Sequence, residues 1–263
     1  MQRVIWRNCL AREHVGEGAE MAGDRGRHRL EQGQQLVAHP DAQEPRVLVR
    51  RIVGDGDAVA DEVIATHPER ASGHATLGLG LFKRAGYEAA AGVDSRPTLA
   101  AAIDALERAT ELDPEMLVAQ NNLGVLYRMR ADDELRAGRD PRGALDLAVA
   151  RYERSAELDP TFAGVWNNIG RARALEAEYE LRRGLPASES IAAAIAAQRK
   201  ATAALPEVPA VHNKLGSALY LQAVAVFLDG GDPGPPLAEA QRSFEQTIAR
   251  NATYAFAWKN RGD

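Results

Sequence analysis

Cysteine is nearly absent: Cys9 stands alone among 263 residues, so no intramolecular disulfide can form and the redox compartment is left open. Aromatic residues make up only 5% of a chain that is 45% hydrophobic, with alanine supplying much of the apolar count. Such a composition suits closely packed helices of small residues, and helix is favoured throughout. Long apolar runs are also missing. No segment approaches the roughly 18 residues of a membrane span. Val4, Ile5 and Trp6, set among Arg3, Arg7 and Arg12, are too short a cluster for a signal-peptide core. The net charge of −5 argues against a general nucleic-acid binder, which needs a concentrated basic surface to displace phosphate counterions. Lysine is scarce, 4 against 28 arginines, and with the alanine abundance this bias points to a GC-rich bacterial genome. The expected setting is a bacterial cytoplasm, with no membrane and no nucleic acid.

Catalytic patterns are missing as well. His14, His28, His39, His67, His74 and His212 form no HExxH or other metal-ligand spacing. Gly16-Glu17-Gly18 is followed by Gly23, two residues too late for a dinucleotide fingerprint. Gly54-Asp55-Gly56-Asp57 resembles the start of a calcium loop, but Val59 and Ala60 stand where a ligand and the glycine belong. The expectation is a protein that is not an enzyme and has no catalytic residue, cofactor or metal.

What the chain does have is a repeat. Gly78, Gly124, Gly170, Gly216 and Gly262 are each 46 apart, and so are Pro68, Pro114, Pro160 and Pro206. Leu77, Leu123, Ile169 and Leu215 keep the same register, as do Gly92, Gly138, Gly184 and Gly230. Self-similarity on this scale is the mark of a solenoid, whose units bury their apolar faces against their neighbours. Within one unit, Asp113-Pro114 is expected to open a helix, Asp capping free N–H groups and Pro taking the first position. That helix carries Leu117, Asn121, Gly124, Tyr127 and Met129, runs for about 20 residues, and meets Gly138 as a left-handed terminator. Arg139-Asp140-Pro141 reads as a tight connection. A second helix, from near Gly143, carries Leu145, Ala148, Tyr152, Ser155 and Leu158 up to the next Asp-Pro. Small residues at Gly124 and Ala148 let the two backbones approach closely.

These residues resemble a tetratricopeptide (TPR) repeat. Trp166, Ile169 and Gly170 match the aromatic-Leu-Gly start of the family pattern, and Ala148, Tyr152, Ser155, Leu158 and Pro160 match its second half. A TPR has about 34 residues, so each unit here carries about 12 more, placed at the end of the first helix and in the turn. Gln120, His74 and His212 depart from the family at its aromatic position, and Arg173 departs where Tyr is usual. The resemblance implies an all-α, right-handed superhelical α-solenoid of TPR-like helical hairpins over residues 57–263, acting as a protein-protein interaction scaffold. Ala58 to Thr66 fits the end of an incomplete first hairpin. Residues 1–56, with nine arginines, no lysine and a slight positive balance, read as a poorly ordered extension. Units with a long first helix and a Gly-Asp-Pro turn also look like those attached to some bacterial serine/threonine kinases, which implies an alternative role as a regulatory accessory segment. Thr253 to Asp263 stops early in a unit, leaving Phe256 and Trp258 open for a homo-oligomer or for a longer array.

In TPR proteins the first helix of each hairpin lines the concave face. Two residues before the recurring glycine stand Thr76, Asn122, Asn168, Lys214 and Asn260; three before it stand Ala75, Asn121, Asn167, Asn213 and Lys259. Asparagine offers donor and acceptor together, so a ladder of them can satisfy the main chain of an extended peptide whatever its side chains. Arg128, Arg171 and Tyr220 fall on the same face. The expected peptide-binding set is therefore Asn121, Asn122, Arg128, Asn167, Asn168, Arg171, Asn213, Lys214 and Tyr220. Val118, Gly164 and Ala210 stand where a two-carboxylate clamp for chaperone tails wants lysine, so that partner is not implied.

Overall fold

The computed structural model describes residues 63–261, and helix is the regular structure found among them. Residues 1–62, and with them the expected extension at 1–56, lie outside the described residues, as do Gly262 and Asp263. After a helical turn at residues 63–66, helices of two lengths alternate. Four have 20 residues: α1 (Ala71–Ala90), α3 (Leu117–Arg136), α5 (Gly164–Arg183) and α7 (Pro209–Leu228). Four have 17: α2 (Arg96–Leu112), α4 (Arg142–Leu158), α6 (Ser188–Ala204) and α8 (Gly234–Arg250). A short α9 (Ala255–Arg261) follows. Each long helix pairs with the short helix after it, each short helix packs on the next long one, and successive long helices touch. The result is an α-solenoid of four hairpins.

Close approach holds each hairpin together. A Cβ placed on Gly124 would lie 2.6 Å from the Tyr152 ring and 3.1 Å from the Ala148 carbonyl oxygen. Gly78 meets Leu106, Gly170 meets Gln198 and Gly216 meets Phe244 in the same way, at 2.6, 2.4 and 2.5 Å. Gln198 is the polar member of that series, 1% exposed, and its Nε2 donates to the Asn167 carbonyl at 3.2 Å. Around it the apolar core divides: one cluster runs from Ala85 to Ala197, the other from Ala177 to Phe244.

The far end of each hairpin turns on a left-handed glycine. Gly92, Gly138, Gly184 and Gly230 have φ of 71°, 72°, 68° and 78°, a region that favours glycine. At the second hairpin, Gly138 N–H donates to Leu135 and Arg139 N–H to Glu134, closing the last turn of α3 as expected. Asp140 then accepts the Arg142 N–H at 3.0 Å, as Asp232 accepts that of Gly234 at 2.9 Å. The Arg142 bonds hold the Asp140 carboxyl below the usual carboxylate range.

Two sequence readings change at the near end. Asp113-Pro114 does not open α3, which begins at Leu117. Asp113 has an extended backbone and accepts the Glu115 N–H at 3.0 Å; Asp159 likewise takes the Thr161 N–H at 2.8 Å and hydroxyl at 2.6 Å. These are Asx turns that reverse the chain, with proline in the turn rather than in the helix. The departures from an aromatic residue also have a shared reason. His74 Nε2, Gln120 Nε2, His212 Nε2 and Trp258 Nε1 each donate to the carbonyl six residues earlier, at 3.0, 3.0, 2.7 and 2.8 Å. At these four positions the side chain reaches back to the turn with an N–H, the histidines as Nε2–H tautomers, whereas Trp166 at the same place in α5 has its ring under the Lys200 ammonium, 3.9 Å from the centroid.

Two outcomes follow. Gly124→Val forces a branched side chain into Tyr152 and should lower stability by on the order of 1–3 kcal/mol in urea denaturation. His212→Gln should leave stability nearly unchanged, whereas His212→Phe should lose about 1 kcal/mol. Equal midpoints for those two variants would show that ring packing, not the N–H donor, governs the position.

Candidate functional site

The long helices α3, α5 and α7 place the expected residues one above another, and the asparagines turn out to bind each other. Asn168 Nδ2 donates to Asn121 Oδ1 at 3.1 Å, and Asn260 Nδ2 to Asn213 Oδ1 at 3.2 Å. The residue three before the glycine accepts, and the residue two before it in the next unit donates. Between α5 and α7 the series is interrupted, because Lys214 stands where the donor amide would be. Asn167 Oδ1 has no hydrogen-bond partner among the described residues.

This corrects part of the sequence reading. Asn167 and Asn213 are buried, at 9% and 2% exposure, rather than open to a ligand. Their position points between successive long helices, so the neighbouring unit covers it. Asn121, Asn122, Asn168, Arg171 and Lys214 are partly buried, and Tyr220 is exposed. Val118 is exposed on α3, an apolar side chain at a place where a carboxylate clamp would need a cation.

Arg128 is only 16% exposed and pairs with Asp132 at 2.8 Å, one helical turn on and equally shielded. Asp132 was absent from the expected set, although its i+4 spacing from Arg128 is a readable signal. Burial pushes the Tyr152 phenol up, while Arg128 and Arg171 pull it down, so both guanidinium groups act on the same part of the groove wall.

The amide pairs still have bonding capacity. An asparagine side chain has two N–H donors and an acceptor oxygen. After the Asn168-to-Asn121 bond, Asn121 keeps both N–H groups, while Asn168 keeps its oxygen and one N–H. The face therefore presents fixed donors and acceptors beside exposed apolar contacts at Val118 and Tyr220. Among the described residues no three His, Cys, Asp or Glu side chains gather as a metal site. No helix among them is long and apolar enough to cross a membrane.

No family model matches the chain, and no curated protein matches it in sequence. Solved structures do match. Two crystal structures of MamA superpose with TM-scores of 0.50 and 0.51 at 16% and 15% identity, covering 76% and 80% of this chain and 88% of theirs. A MamA RS-1 ArsTM double mutant gives a TM-score of 0.50 at 15% identity, covering 81% of this chain and 98% of that one. Likeness at this identity is likeness of fold, and the shared fold is the TPR-like α-solenoid.

The Asn121–Asn168 bond is testable apart from any ligand. Asn168→Ala should cost about 1 kcal/mol, and a double-mutant cycle with Asn121→Ala should return a coupling of roughly 0.5 kcal/mol or more. A coupling of zero in urea denaturation would mean that the two amides do not hold α3 and α5 together.

Proposed function

We propose that this chain is a protein-interaction scaffold of TPR-like units lengthened to 46 residues, and that it takes an extended segment of a partner protein along α3, α5 and α7. The proposed role is binding rather than catalysis, in a bacterial cytoplasm. The observation that carries this reading is the amide pair between Asn121 and Asn168. A side chain already held by its neighbour loses little freedom when a ligand docks, and each pair still offers donor and acceptor groups to a peptide main chain. Arg171, Lys214 and Tyr220 add cationic and aromatic contacts for the partner's side chains.

The test is a titration with a peptide selected from a displayed library against the intact chain. Asn122→Ala together with Asn168→Ala should weaken that peptide about tenfold or more, a loss of roughly 1.4 kcal/mol. The buried Asn213 is left in place. Unchanged affinity with an unchanged helical spectrum would remove the groove from the reading. Failure of the library to yield any binder would remove the peptide ligand.

Self-association at the other end remains the second reading. Trp258 is exposed and its indole is tied to the Ala252 carbonyl, while the Phe256 side chain lies outside the described residues. The reading as an accessory segment of a signalling kinase rests on the sequence alone.

A further inference from the structure

Three cations on the groove wall break the 46-residue register. Arg128 on α3, Arg171 on α5 and Lys214 on α7 follow one another at 43 residues, three short of the repeat. Each therefore stands about one helical turn nearer the Asx-turn end of its helix than the one before. Continued by the same step, the row meets Ala85 and Ala257, both fully buried, so it has three members. What stacking requires recurs in every unit, as the seated glycines do. These cations do not recur: the place of Arg171 is held elsewhere by Leu79, Val125 and Ser217, and that of Lys214 by threonine or asparagine. The fold does not ask for them.

The spacing of the row suits one form of extended chain. Long helices in contact, as α3 is with α5 and α5 with α7, have axes about 9 Å apart. A step back of three residues along the axis adds about 4.5 Å, so neighbouring cations are set about 10 Å apart. A β-strand shows the same face at about 6.7 Å or 13 Å, and misses that interval. A polyproline II segment returns to one face every third residue, about 9.3 Å on, with its main chain unbonded and open to Asn122 and Asn168. The wall is also shielded. Arg128 and Asp132 are each 16% exposed and pair at 2.8 Å, a bond that occupies one of the five N–H donors of the guanidinium. Arg128 and Arg171 both act on the Tyr152 phenol, which puts them on one stretch of wall.

We propose that the partner segment is acidic, a polyproline II stretch with Asp or Glu at every third position, its three carboxylates set on Arg128, Arg171 and Lys214. This rests on the groove reading above and gives it a ligand chemistry. The chain as a whole carries a net charge of −5, so an acidic segment is repelled elsewhere and is admitted where the row runs. The row thus sets both the place and the register of the ligand.

Fluorescence anisotropy on the intact chain tests this with a labelled peptide of three Glu-Pro-Ala repeats. That peptide should bind about tenfold or more tightly than its Gln-Pro-Ala counterpart. It should also bind more tightly than a peptide of the same composition whose glutamates are adjacent. Lys214→Asn installs the residue found at Asn122 and Asn168, and Arg171→Ser that found at Ser217, so both variants should fold. Each should weaken the repeat peptide about threefold to fivefold with an unchanged helical spectrum. Equal affinity for the glutamine or the clustered peptide, or no loss in either variant, would overturn the acidic partner. A single-stranded RNA oligonucleotide bound as tightly as the peptide would overturn it in favour of a phosphate chain. A library-selected peptide that binds through Asn122 and Asn168 while the Glu-Pro-Ala repeat does not would leave the groove standing and remove this proposal alone.

Discussion

Each hairpin depends on one contact, the seat of a second-helix side chain against a bare glycine backbone. Leu106, Tyr152, Gln198 and Phe244 occupy space that a Cβ on Gly78, Gly124, Gly170 or Gly216 would claim. The constraint falls on the glycine. Its partner can be aliphatic, aromatic or an amide, because the site needs bulk at one depth and little else. Once that depth is set, the helices cross at a fixed separation. The left-handed glycine at one end and the Asx turn at the other then only close a hairpin whose spacing is already determined.

Between hairpins the linkages are more varied and partly polar. Near the bases the asparagine pairs join α3 to α5 and α7 to α9. Toward the tips, Arg142 and Arg183 both lie over the Tyr179 ring, at 5.6 and 5.5 Å from its centroid, and Arg183 also donates to the Gly138 carbonyl at 3.0 Å. The groove is thus built from the linkages that stack the units. Its binding capacity is the valence left after stacking, which explains why the asparagine that looks most like a ligand contact in sequence can be buried in the fold.

The hairpins, their long first helices and the glycine terminators could be read from residue spacing, because a left-handed turn and a backbone contact both demand glycine. Other features could not. Asp-Pro serves equally as a helix opener or as an Asx turn, and the extended backbone of Asp113 and Asp159 decides between them. Asn167 and Asn168 are adjacent and both polar. Successive residues on a helix point about 100° apart, and only the position of the next unit determines which of the two is covered.

The four residues that reach back six positions, His74, Gln120, His212 and Trp258, define an alphabet. Scored by aromatic character, that column contains a glutamine that does not belong and two histidines that barely do. Scored by whether the side chain places an N–H on a carbonyl one turn outside its own helix, these four match, and Trp166 is the member of the column that keeps the ring without the bond. A solenoid of this kind can therefore drift in residue type while conserving a bond, so its relatives are better sought by the hydrogen a side chain delivers than by the ring that carries it.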